Sequence, residues 1–127
     1  MNHLKVFWED ELREMRNSLG SKNGFTVSEH FFEDRMSERE ISLQEVAEVI
    51  ITGVIAEGYD VGKYPSYRNA DPVRTIIGKT SKGRILTIGV AIKGNQSFCV
   101  TTGYEGITCR LKQAAYEVGI LEQVFVC

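Results

Sequence analysis

The periodicity of the sequence changes at Val54. Before this position, apolar residues recur at the three- and four-residue spacing of amphipathic helices. After it, short runs rich in β-branched and aromatic residues alternate with turn-forming residues, which indicates strands. Helices followed by strands predict an α+β domain in which N-terminal helices pack on one face of a twisted sheet.

Three helices are predicted before Val54. The first covers residues 3–19, and the second covers 29–38 after Ser28, whose hydroxyl can cap it. The third runs from Leu43 to about Thr52 and ends at Gly53. Ser42 and Glu45 have the spacing of a capping box, so the start of this helix is well defined.

The second half predicts an antiparallel meander of about four strands. These are the runs VIAEGY, VRTIIGKT, RILTIGVAI and SFCVTTGY. Residues 25–27 form a further short extended piece, and GITCRLKQAAYEVG predicts a C-terminal helix. ILEQVFV is interpreted as either a final strand or an apolar tail. With 127 residues and no linker or repeat, residues 1–127 are expected to form one domain.

Charge is unevenly distributed along the chain. Residues 1–60 carry six Lys or Arg against thirteen Asp or Glu, whereas residues 61–95 carry seven against one. The basic segment can attract phosphate or an acidic partner, although the protein as a whole is mildly acidic. Alternatively, the two segments simply neutralise one another across the fold.

The sequence favours a soluble, cytoplasmic protein without a metal or cofactor. The N-terminus lacks the apolar run of a signal peptide, and no segment reaches the roughly 20 apolar residues of a membrane span. The three cysteines, Cys99, Cys109 and Cys127, form no CxxC pair and are odd in number. We therefore expect free thiols, and neither a zinc site nor a disulfide framework.

The segment SEHFFEDRMSEREIS, residues 28–42, concentrates groups that are useful for phosphate chemistry. On an α-helix His30 and Asp34 share a face, as do Arg35 and Arg39. Histidine titrates near neutrality and suits proton transfer, and guanidinium groups match phosphate oxygens. Taken singly, however, His30 reads as a surface residue bonded to Asp34, and the arginines read as ion-pair partners.

The order of several motifs resembles a prokaryotic family, domain of unknown function 4258, which is allied to the RelE/ParE toxin superfamily and its barnase-like ribonuclease fold. The matching pieces are His30-x4-Arg35-x3-Arg39-x-Ile41-Ser42, then Gly83-Arg84-Ile85-Leu86, then Val100-Thr101-Thr102-Gly103-Tyr104. Residues 25–104 are covered, whereas helix 3–19 and residues 105–127 are not. Glu40 stands where that family usually has glycine, and Gly103 adds one residue before Tyr104.

The resemblance implies a ribonuclease-like toxin that cleaves RNA without metal. It implies His30 as general acid or base, Arg84 with Arg35 or Arg39 as the phosphate clamp, and Thr101 and Tyr104 as orienting hydroxyl donors. Further cations are expected to contact the RNA backbone: Arg39, Lys63, Arg68, Arg74, Lys79 and Lys82. A toxin also implies a cognate antitoxin or immunity protein as partner.

Two other functions fit the same residues. A non-catalytic module can use the basic sheet to hold RNA or an acidic protein, with Tyr64 and Tyr67 stacking on unpaired bases. An immunity-type protein can use its acidic helices to bind a basic toxin. Arg84, Thr101 and Tyr104 also have ordinary structural readings, as a strand-edge arginine and as cross-strand packing residues.

Overall fold

The computed structural model describes residues 5–20, 24–65, 67–94 and 96–117. The elements are a 3-10 turn at Lys5–Phe7, α1 at Trp8–Ser18, β1 at Phe25–Val27, a π-helix at Phe31–Arg35, α2 at Leu43–Thr52, β2 at Val54–Tyr59, β3 at Val73–Lys79, β4 at Ile85–Gly94, β5 at Ser97–Glu105 and α3 at Cys109–Glu117. The α+β prediction is confirmed. The predicted segment ILEQVFV lies outside the described residues.

The strands form one sheet in the order β1-β5-β4-β3-β2. Strands β2 to β5 pair antiparallel with their sequence neighbours, as predicted. The sheet has five strands, however, where about four were predicted. The short extended piece at Phe25–Val27 supplies the fifth, because it pairs in parallel with β5 and places Phe25 opposite Phe98.

The helices pack on two different faces of the sheet. Ile76 is in the core that includes α1, the π-helix and α2, whereas Ile77 packs with Leu111 and Ala115 of α3. Successive strand residues point to opposite faces, so these neighbours define an N-terminal helix face and an α3 face. The larger core lies on the N-terminal helix face and includes Trp8, Leu12, Met15, Phe31, Met36, Ile41, Val46, Val49, Ile50, Ile55, Ile76, Leu86, Ile88, Val90, Phe98 and Val100.

The start of α2 is fixed by the predicted capping box. The Glu45 backbone N–H donates to the Ser42 hydroxyl at 3.1 Å, and the Ser42 N–H donates to the Glu45 carboxylate at 3.3 Å. The helix ends before Gly53, which packs too closely on the Val49 and Ile77 carbonyls to carry a side chain. The predicted bounds of α2 therefore coincide with the observed ones.

The second predicted helix is largely a π-helix. The Met36 N–H donates to the Phe31 carbonyl, and the Ile41 N–H to the Met36 carbonyl, both at five-residue spacing and 2.9 Å. Phe31, Met36 and Ile41 are all buried, so apolar residues five apart share the core-facing side of this segment. Ser28 acts as the predicted cap, since its hydroxyl accepts from the Phe31 N–H at 3.2 Å.

Glu40 occupies the left-handed region of the backbone, with φ of 54°. A side chain in this region is disfavoured by contact with its own backbone, and glycine avoids that contact. The strain explains why glycine suits this position, between the π-helix and α2.

We expect Glu40→Gly to raise the free energy of unfolding by about 0.5 kcal/mol, because relief of strain outweighs the added entropy of the unfolded chain. The Glu40 carbonyl, which accepts from Arg84, is retained. Urea unfolding measures the change. Ser37→Gly, an exposed position in the same segment, is the control and is expected to lower stability; a loss of stability in both variants would contradict the strain at Glu40.

The cysteines differ from one another. Cys99 is a free thiol, as expected. Cys109 is disulfide-bonded, so the expectation of free thiols is wrong for this residue. The odd number of cysteines had argued against a disulfide framework, but an odd number does not prevent a single bond.

The described residues contain neither a candidate metal cluster nor a candidate membrane span. No group of three or more His, Cys, Asp or Glu side chains in these ranges is placed to hold a metal ion. In the same ranges no helix is both long and apolar enough to cross a bilayer.

Candidate functional site

Arg84 is the centre of an ion-pair network rather than an open phosphate clamp. Its Nη1 donates to the Glu45 carboxylate and its Nη2 to the Glu105 carboxylate, both at 3.0 Å. Nη1 also donates to the Glu40 carbonyl at 2.8 Å. The hydrogen bond to Glu105 raises the pKa of Arg84, and the charge of Glu45 raises it further. The guanidinium is thus permanently cationic and already surrounded by acceptors.

Arg39 takes part in the same network through the backbone. Its Nη1 donates to the Gly103 carbonyl on β5 at 2.7 Å, and its own carbonyl accepts from Arg84 at 3.4 Å. The two arginines therefore fasten the segment between the π-helix and α2 to the ends of β4 and β5. This arrangement does not match the predicted clamp of Arg84 with Arg39.

His30 lies at the start of the π-helix and is exposed. Its Nδ1 is 2.9 Å from the Asp34 Oδ2, as the four-residue spacing predicts, and the two side chains are 64% and 60% exposed. Among the described residues none binds the other ring nitrogen, Nε2. A carboxylate on one imidazole nitrogen fixes the ring and leaves the second nitrogen for proton transfer.

Arg35 is the last residue of the π-helix, five positions after His30. On an α-helix residues five apart point in different directions, whereas the wider turn of a π-helix brings them toward the same side. Arg35 is 39% exposed, and its bond with the Glu38 carboxylate is 3.3 Å long. Such exposed pairs are weak, so a phosphate can replace Glu38.

Thr101 and Tyr104 lie on the opposite face of the sheet from the π-helix. Gly103 faces Phe31, since a Cβ there would be 2.8 Å from the Phe31 ring. Tyr104, the next residue, therefore points to the α3 face, as does its cross-strand partner Thr87. The structure does not gather the five predicted catalytic residues on one surface.

A β-bulge sets the direction of Thr101. Gly89 pairs with Thr102 and Val90 pairs with Val100, so Thr101 is an extra residue in β5. Its hydroxyl donates to the Gly89 carbonyl at 3.4 Å. The bulge accommodates one added residue before Tyr104 and places both Thr101 and Thr102 on the α3 face.

The edge of the sheet next to the π-helix is partly open. β1 pairs with β5 only as far as Val27 opposite Val100, after which the Ser28 N–H donates to the Val100 carbonyl. Beyond Val100, β5 has no neighbouring strand on this side within the described residues. His30 is two residues after Ser28, so it lies near the point where the chain leaves this edge, whereas Thr101 and Tyr104 are on the α3 face.

The predicted RNA-contacting cations do not form one patch. Arg74 is buried, with 1% of its side chain exposed, and its Nε donates to Glu11 at 2.6 Å, so its prediction as an RNA contact is wrong. Lys79 and Lys82 are exposed where β3 turns into β4. Lys63 and Arg68 are exposed in the loop at the opposite end of β3.

Sequence reasoning missed the acceptors of Arg84. Glu45 was recognised as a capping residue, but its capping bonds did not reveal that it is buried and faces Arg84, which lies just before β4. A carboxylate predicted on the buried side of an amphipathic helix is the signal that a cation must face it.

The chain matches a known protein family. The family described as a domain of unknown function (DUF4258) matches residues 27–105, which include the π-helix, α2 and β2 to β5. No match was found among curated proteins or among solved structures. The matched range agrees closely with the 25–104 inferred from the motifs, and it covers more than half of the chain; the chain belongs to the DUF4258 family.

Proposed function

We propose that this chain is a metal-independent ribonuclease-like toxin domain, allied to the RelE/ParE superfamily and acting on RNA in the cytoplasm. The observation that carries the proposal is the exposed His30–Asp34 pair, near the point where β1 stops pairing with β5. An oriented imidazole with one unengaged nitrogen is what removal of a proton from a ribose hydroxyl requires.

In the proposed reaction, His30 acts as the general base. Nε2 takes the proton of the 2′-hydroxyl, the resulting oxygen attacks the adjacent phosphorus, and the bond to the 5′-oxygen breaks. The products are a 2′,3′-cyclic phosphate and a 5′-hydroxyl, whose proton comes from water or a protonated group. Arg35 stabilises the charge on the phosphate in place of the predicted Arg84.

In this proposal, Thr101 and Tyr104 are not the catalytic hydroxyl donors that the sequence predicted. They lie on the α3 face, so they bind a different section of the RNA from the one at His30. A single strand that passes around the edge of the sheet near His30 can contact both faces. In this scheme their hydroxyl groups position the strand, and Arg39 and Arg84 maintain the shape of the site.

Expression in bacteria tests the toxin proposal. We expect the wild type to arrest growth and His30→Ala to restore it, because the variant lacks the proton acceptor. The substituted side chain is exposed, so the change is not expected to disturb folding. Glu33→Ala, an exposed change on the same helix, is the control and is expected to remain toxic. Equal midpoints of unfolding in urea would show that the variants are equally stable. If the wild-type protein is produced in folded form and does not slow growth, the proposal is contradicted.

A second candidate is a non-catalytic RNA-binding module of the same family. It is favoured by the saturation of Arg84 with carboxylates and by the separation of His30 from Thr101 and Tyr104 across the sheet. This function predicts salt-sensitive RNA binding without cleavage, since phosphate contacts release counterions. A toxin, in contrast, requires a neutralising antitoxin or immunity protein.

A further inference from the structure

The connection between β2 and β3 is a long loop with no part in the site at His30. It spans residues 60–72, of which residue 66 lies outside the described residues. Irregular loops of this length are uncommon in compact domains, and those that are ordered often have a function.

A buried asparagine fixes the shape of this loop. Asn69 is 3% exposed, and its Oδ1 accepts from the Tyr64 N–H at 3.0 Å. Its Nδ2 donates to the carbonyls of Asp60 at 3.0 Å and Asp71 at 2.7 Å. One side chain thus joins three points of the loop, so its surface groups are held before any ligand arrives.

Three tyrosines form a continuous row that reaches the surface. The ring centroids of Tyr59 and Tyr64 are 5.3 Å apart, and those of Tyr64 and Tyr67 are 5.0 Å apart. Tyr67, at the outer end, is 51% exposed. The inner rings support an aromatic surface on which a planar group can stack.

Two cations are adjacent to these tyrosines in the sequence, Lys63 before Tyr64 and Arg68 after Tyr67. Lys63 and Arg68 are exposed, and neither is in an ion pair with any residue that the structure describes. The Arg68 guanidinium lies against Gly62, within 4 Å of where a Cβ would stand. The nearby Asp71 carboxylate is paired with Lys93 at 2.7 Å, so it does not neutralise these two cations.

We infer that this loop binds single-stranded RNA, with an unpaired base stacked on Tyr67 and the neighbouring phosphates at Lys63 and Arg68. The choice of RNA rests on the proposed function. Stacking on an aromatic ring requires an unpaired base and accepts any of the four, while the cations contact the backbone. The loop therefore favours single strands over duplexes and has little sequence preference.

Fluorescence anisotropy with a short fluorescein-labelled oligoadenylate tests this inference. The probe carries 2′-O-methyl groups throughout, so it cannot be cleaved by attack of a 2′-hydroxyl. We expect Tyr67→Ala to raise the Kd about 5-fold or more, and Tyr67→Phe to bind like the wild type because the ring is kept. Tyr116→Ala, an exposed tyrosine on α3, is the matched control and is expected to bind like the wild type.

The salt dependence of RNA binding tests whether Lys63 and Arg68 contact phosphates. Replacing Lys63 and Arg68 together by alanine is expected to reduce the slope of log K against log salt by about 1.4, because each lost phosphate contact of a single strand contributes about 0.7. Lys79→Ala with Lys82→Ala removes the same charge at the other end of β3 and is expected to leave more of the slope intact.

RNA binding by the loop and cleavage of RNA at His30 can be confirmed or contradicted separately. Binding that depends on Tyr67 without any cleavage of ordinary RNA supports the loop and contradicts the ribonuclease. Cleavage that depends on His30, with a Kd unchanged by Tyr67→Ala, contradicts the loop and supports the ribonuclease. A Kd for duplex RNA as low as that for the single strand also overturns the inference.

Discussion

Phe31→Ala is expected to lower the free energy of unfolding by about 3–5 kcal/mol, the usual loss for a buried phenylalanine. Phe31 is fully buried, and its ring packs on Gly103 of β5. It is the main apolar contact between the π-helix and the sheet at this point. Domains of this size have roughly 6–19 kcal/mol of stability in total, so this single contact decides whether the segment carrying His30 stays in place.

The adjacent Phe32 provides a matched control. It is 55% exposed, so Phe32→Ala removes the same ring at little cost and is expected to change stability by less than about 0.5 kcal/mol. Gly103→Ala is expected to cost about 1–3 kcal/mol, because its new methyl group would collide with the Phe31 ring. Equal losses for Phe31→Ala and Phe32→Ala in urea unfolding would show that this helix does not pack as described.

Glu11→Ala is expected to cost about 3 kcal/mol, because it removes the carboxylate that faces the buried guanidinium of Arg74. The Arg74 Nε and Nη2 donate to the two Glu11 oxygens at 2.6 and 2.9 Å. Gly58 leaves room for this arrangement, since a Cβ there would lie 3.0 Å from Arg74. The pair ties α1, which lies outside the range matched by the family, to β3 inside it.

The control for this pair is Glu9→Ala, the same change at an exposed position of α1. It is expected to have little effect on the urea midpoint. The double variant Glu11→Leu with Arg74→Met is expected to recover much of the loss, because neither charge then remains in the core. If Glu11→Ala lowers the free energy of unfolding no more than Glu9→Ala does, the pair of Glu11 and Arg74 does not anchor α1.

Much of the fold was predictable because its signals are local. The capping box of Ser42 and Glu45 fixed the start of α2, and β-branched runs between turns marked β2 to β5. The parallel pairing of β1 was not predictable, because three residues carry no signal for a partner more than seventy positions away.

The candidate site was less predictable because it depends on contacts between distant residues. His30 and Asp34 are neighbours on one helix, so their spacing predicted the observed bond. Arg74 and Arg84 each meet carboxylates from other elements, and residue type alone did not separate them from cations that reach solvent. The π-helix likewise depends on the burial of Phe31 and Met36, and the spacing of an α-helix did not predict it.

The most direct test of the ribonuclease proposal is to analyse the ends of RNA incubated with purified protein in EDTA. We expect fragments with 2′,3′-cyclic phosphate and 5′-hydroxyl ends from the wild type, and none from a His30→Ala variant that unfolds at the same urea concentration. Intact bulk RNA and transfer RNA with the folded wild type, or equal cleavage by His30→Ala, would contradict it.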